Sequence, residues 1–146
     1  MKPAPPTNQF RPEVRLVTCA NANGNTMTDN VTIHAILIGA RGRIQAPAQW
    51  CQNYHFVLND GEAKFMSEMF FGDLHNVKAC CADGALILQC GGDQNEAYQD
   101  SARELAESSK ALFDEYDYTH VNDCENGHAR IMKALDHAIE RLLATQ

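Results

Sequence analysis

The sequence predicts a mainly α fold, a compact domain of about four to five helices with a short extended segment or hairpin. Three observations predict it. Apolar residues recur at helical spacing in several separate stretches. Clusters of Gly, Pro, Asn and Asp punctuate those stretches. A length of 146 residues, 45% apolar and 21% charged, suits one ordinary core.

Residues 1–28 read as a partly ordered tail ahead of a single helical domain over 29–146. Pro3, Pro5, Pro6 and Pro12 oppose helix, and Asn21, Asn23, Gly24 and Asn25 favour turns. Arg15 to Thr18 has room for one short strand. Met27 reads as an alternative start, and a tail docked on the domain is the competing expectation.

The first helix is predicted from Asp29 to Arg43, because Ile33, Ile36, Leu37, Ala40 and Ile44 form one stripe and Thr28 or Asp29 can cap it. Gly39 and Gly42 weaken it, and Pro47 prevents its continuation. In the irregular stretch 46–62, Tyr54, Phe56 and Leu58 alternate with other residues ahead of Asn59-Asp60-Gly61, which predicts a short strand and tight turn. Phe65, Met66, Met69 and Phe70 are spaced for a short helix.

A third helix is expected over Val77–Gln89, with Gly84 reserved for close approach of another backbone and Gly91-Gly92 ending it. A fourth is expected over Gln94–Tyr116, with an apolar stripe from Tyr98 to Tyr116 and Asp93 and Glu96 placed as a capping box. Asp100, Arg103, Glu104 and Glu107 fall on its opposite face. The last helix, Gly127–Ala144, carries Ile131, Leu135, Ala138, Ile139 and Leu142 inward, with Asn122, Asp123 and Asn126 as candidate caps.

The net charge of −7 is unevenly spread, with fifteen carboxylates against four basic residues between positions 60 and 125. Such a middle repels phosphate backbones, which disfavours direct nucleic-acid binding and suits a basic protein partner. A merely solubilising face is the competing reading. The chain opens with no apolar leader, and no stretch is long enough to span a bilayer, so a cytoplasmic protein is expected. Its six cysteines then read as reduced thiols; Cys80 and Cys81 are adjacent, where a bridge would be strained.

Several residues invite chemistry. Cys51 with His55, and His120, Cys124 and His128, have loose metal-ligand spacings, but no C-x₂-C pair accompanies them and the expectation is no metal and no cofactor. A Cys51, His128 and Asp123 set could be drawn as a triad, though nothing local activates the thiol. Tyr116 to His128 reads as a polar and aromatic loop between helices, a natural place for binding groups. Within it, capping by Asn122-Asp123 competes with a functional role. His128 lies inward on the helical wheel, beside the stripe of Leu135 and Ile139, where it can pack or share a pocket with Trp50. The sole tryptophan, Trp50, either plugs the core or walls an apolar site.

Taken in order, Trp50-Cys51-Gln52, then Cys81-Ala82-x-Gly84-Ala85-Leu86, then Asn122-Asp123 before a helix near His128 resemble the W-C-Q, C-x-x-G-A-L and N-D elements of an uncharacterised family of small bacterial and bacteriophage proteins, a domain of unknown function. The likeness covers residues 31–143. Val121 stands where the family often has an aromatic residue, Cys80 is an added cysteine, and the tail is unusual. The resemblance implies a bacterial or phage setting and no particular activity. It also implies that Trp50, Gln52, Asn122 and Asp123 lie together.

The expected function is a non-enzymatic binding protein, a phage-encoded inhibitor or accessory factor whose acidic surface occupies a basic, nucleic-acid-handling partner. The alternatives are a small-molecule binder or small enzyme with a site at Trp50, Gln52, Asn122, Asp123 and His128, and a metal-stabilised domain. Oligomeric state stays open.

Overall fold

The computed structural model describes residues 18–20 and 26–145, with side chains described from residue 28 onward. The expected tail therefore lies mostly outside the described residues, as does all but Thr18 of the Arg15–Thr18 strand. What is described there is a short antiparallel ladder of β1 (Thr18–Ala20) and β2 (Thr26–Thr28). Beyond it, the described chain holds five helices and one small antiparallel sheet.

Helix α1 (Asn30–Ile44) starts where expected. Asp29 caps it by accepting the Thr32 N–H at 2.9 Å, and Ile33, Ile36, Leu37, Ala40 and Ile44 are buried. Pro47 begins a single 3₁₀ turn, Pro47–Gln49, that turns the chain into extended Trp50. The hairpin of β3 (Phe56–Leu58) and β4 (Ala63–Lys64) closes around Asn59-Asp60-Gly61, with Gly61 at φ 93°. The helical spacing of Phe65 to Phe70 yields only one 3₁₀ turn, Met66–Glu68.

The predicted Val77–Gln89 helix is corrected to two elements. Val77–Cys80 is a strand, β5, paired antiparallel with β3, and the helix α2 spans only Ala82–Gln89. The hairpin supplies a ladder for the backbone of Val77–Cys80, which outcompetes local helical spacing. Extended Cys81 then caps α2, its sulfur accepting the Gly84 N–H. Every residue from Ala82 to Leu88 is buried, so α2 threads the middle of the core, packed by α1, β5 and the next two helices.

Helix α3 (Glu96–Phe113) is capped by Asn95, not by the expected Asp93, because the positive-φ pair Gly91 and Gly92 delays the start and places Asn95 on the Tyr98 N–H. It ends at Asp114, in the left-handed region, so Tyr116 lies beyond it and is exposed. Asp100, expected on the solvent face, is buried where it accepts the Thr28 N–H and pairs with Arg103.

The stretch predicted as a loop contains helix α4 (Tyr118–Asp123), whose start is secured by Asp117 accepting the Thr119 and His120 N–H groups. Helix α5 (Gly127–Ala144) follows after a tight turn. Asn122 and Asp123 do not cap it; Asn126 occupies that position in the left-handed region, without a side-chain bond. The breaker-rich composition hid α4, whose buried Tyr118, Val121 and Asn122 are held by tertiary packing. Among the described residues no helix is long and apolar enough to cross a membrane.

Candidate functional site

Trp50 and Cys51 run alongside β5: Trp50 bridges Cys80 in parallel, and the Cys51 N–H donates to the Cys80 carbonyl at 3.1 Å. The end of α4 meets this segment from the other side. Asn122, fully buried, accepts the indole N–H of Trp50 at 2.8 Å and the Ala82 N–H at 3.0 Å. Its amide nitrogen donates to the Cys51 carbonyl at 3.0 Å and to Asp123 at 2.9 Å. Two donors meet the oxygen and an acceptor carbonyl meets the nitrogen, which fixes the amide orientation. The Gln52 side chain donates to the Asn122 and Cys124 carbonyls at 3.1 and 3.0 Å, and Asp123 accepts the Asn53 N–H at 2.9 Å.

His128, on the first turn of α5, packs its ring against Trp50 at 5.1 Å and bonds the Ile44 carbonyl through Nε2 at 2.7 Å. The structure thus brings together all five residues singled out in the sequence. Between them opens a groove of about 510 Å³, walled by Trp50, Gln52 and His128 and rimmed by exposed Asp123, Glu125 and Asn126. The turn between α4 and α5 is close because residue 127 lacks a side chain: a Cβ there would collide with the Asn122 carbonyl, the group that holds Gln52.

Sequence reasoning missed a second cluster. Asp83, buried near the start of α2, accepts the hydroxyls of Tyr98 and Tyr118 at 2.6 Å each, and His55 Nε2 at 3.0 Å. Because His55 Nδ1 must accept the Met66 N–H at 2.9 Å, the ring proton belongs on Nε2. Burial alone would raise the Asp83 pKa, but the bonds from His55, Tyr118 and Tyr98 outweigh it and hold the carboxyl below its ordinary value. Burial and the bond to Asp83 push Tyr98 up to about 12, and burial with the nearby Asp83 charge raises Tyr118 as well. Only Asp83 itself was marked in the sequence, as the one charge in the apolar stretch Ala79 to Leu88.

The cysteines around the site are held as thiols. Burial, with Asp123 nearby, pushes the Cys51 thiol up to about 11, and burial pushes Cys80 and Cys90 up to about 12. Cys81 is raised too, and His55, which lies near it, has both nitrogens committed elsewhere. A thiolate–imidazole pair is therefore not formed among these groups. The loosely spaced histidines disperse: His120 faces Glu115, and His128 faces Ile44. Among the described residues no three His, Cys, Asp or Glu side chains gather as a metal site, and five cysteines are free.

Residues 28–141 match the model of a family described as Family of unknown function (DUF6197). The chain belongs to that family. No curated protein and no solved structure matches it. The family's span runs from the end of β2 through most of α5, and encloses every residue of the groove and of the Asp83 cluster.

Proposed function

We propose that the chain is a non-enzymatic binding protein that offers the Trp50 groove and its acidic rim to a basic protein partner. The setting we infer is cytoplasmic and bacterial, with the chain a phage-encoded inhibitor or accessory factor of a nucleic-acid-handling protein. One observation carries the reading. An aromatic wall, Trp50 with His128, stands beside the exposed carboxylates of Asp123 and Glu125. Meanwhile the indole N–H, the Asn122 amide and the Gln52 amide nitrogen are spent on the protein itself. An arginine or lysine side chain matches such a groove, since its stem packs on the ring while its charge meets the carboxylates. The rim carboxylates and the net charge of −7 attract a basic partner.

The test is calorimetric titration of a tetra-arginine peptide at low and at physiological salt. Binding that weakens as salt rises, and that the charge reversal Glu125→Lys weakens by about fivefold to tenfold, supports the reading. Binding indifferent to Glu125→Lys, or no binding at low salt, removes it.

A further inference from the structure

A second cavity, of about 170 Å³, opens on the other side of Asp123. Its walls include Tyr54, His55, Phe65, Cys81 and Thr119, and Asp123 belongs to both cavities, so the two are neighbours on one surface. Apolar surface dominates its lining. Several of its polar groups are already committed: His55 is held between Asp83 and the Met66 N–H, the Asn122 side chain makes four hydrogen bonds, the Cys81 sulfur accepts the Gly84 N–H, and the Thr119 hydroxyl bonds Asp117. The cavity thus offers shape and apolar contact. Apolar cavities of about 150 Å³ hold a benzene-sized group.

Two aromatic rings line it: those of Tyr54 and Phe65 meet at 4.9 Å and are 40% and 44% exposed. Exposed aromatic groups clustered beside a cavity are the composition of a protein interface. Partner chemistry follows from the neighbour: carboxylates at Asp123 and Glu125 favour a cation within one or a few residues of whatever fills the apolar cavity. Asp123 borders both cavities, and an extended segment advances about 3.3 Å per residue with side chains alternating in direction, which suits one short peptide to both.

We propose that the Tyr54–Phe65 cavity takes an apolar side chain of the same extended segment whose basic side chain enters the Trp50 groove. The partner's recognition element is then a short peptide that pairs one apolar with one basic residue. This rests on the binding reading above, and adds to it the identity of the second anchor.

The test uses the sole tryptophan as reporter. Acetylated, amidated peptides with arginine and leucine separated by zero, one or two glycines are titrated into the full chain, beside arginine-only and leucine-only controls. At one spacing, leucine is expected to tighten binding about tenfold over the arginine-only peptide. Thr119→Phe, which fills the cavity, is expected to abolish that gain and leave arginine-only binding intact; Phe65→Ala, which opens the wall, is expected to reduce it. If leucine adds less than twofold at every spacing while the arginine-only peptide still binds, the second anchor is wrong and the groove reading stands. If no arginine peptide perturbs Trp50, both fall. Self-association that Thr119→Phe abolishes, without any leucine gain, would assign the cavity to a second copy and overturn the proposal.

Discussion

The indole N–H of Trp50 reaches the side-chain oxygen of Asn122 across 2.8 Å, joining residues 72 apart in sequence. That oxygen also takes the first N–H of α2, and the same amide holds the Cys51 carbonyl. One buried side chain therefore ties the groove wall, the start of the central helix and the end of α4. The groove keeps its shape because this amide is satisfied.

Asn122→Ala is expected to destabilise the chain by about 3 kcal/mol, since it strands a buried donor on Ala82 and part-buried groups on Trp50 and Cys51, each costing about 1–3 kcal/mol. Urea unfolding followed by Trp50 fluorescence measures it. A loss below about 1 kcal/mol would mean that the amide is not the tie described.

Asp83 links stability to pH. Its folded pKa lies below the ordinary carboxylate value, so the unfolded chain binds the proton more tightly. The stability it contributes is complete above the unfolded value, about 3.9, and is lost as pH falls through the lower folded one. Asp83→Asn is expected to cost about 2 kcal/mol at neutral pH and to flatten the stability profile between about pH 5 and 3. Equal slopes for the two proteins would contradict the assignment.

The glycines at 84 and 42 should respond in opposite ways. A Cβ at 84 would collide with the His55 carbonyl, whereas nothing lies near a Cβ at 42 on helical α1. Gly84→Ala is expected to destabilise by about 1–3 kcal/mol and Gly42→Ala to stabilise by up to about 1 kcal/mol. Thermal denaturation of the pair, measured together, checks both signs.

Thiol chemistry should be slow in the folded chain. A Cys51 pKa near 11, against the ordinary 9.0, means about a hundredfold less thiolate near neutral pH. Iodoacetamide labelling read by peptide mass spectrometry should mark Cys51, Cys80 and Cys90 much more slowly in the folded than in the urea-unfolded chain. Labelling of Cys51 at the unfolded rate would reopen a nucleophilic role.

The helices of this fold were legible where one face alone decided them. The stripes of α1 and α5 predicted their buried residues because those faces meet the core directly. Val77–Cys80 misled because its partner strand lies twenty residues back, and pairing with Phe56–Leu58 is not written in local spacing. Helix α4 hid behind Asn and Asp residues whose weak helix preference is overridden by burial of Tyr118, Val121 and Asn122. That Trp50, Gln52, Asn122 and Asp123 lie together was implied by the family resemblance, and the helical wheel offered His128 a pocket shared with Trp50. The Asp83 cluster could not be gathered, because its partners His55, Tyr98 and Tyr118 come from three separate elements or connections.

The most direct test of the binding account is an amide and indole NMR titration of the full chain with arginine amide. The account predicts shifts concentrated at the Trp50 indole, the Gln52 side chain and the amides of Gly127, His128 and Ala129, with α3 unaffected. Shifts spread evenly over the acidic residues of α3, or none at the groove, would contradict it.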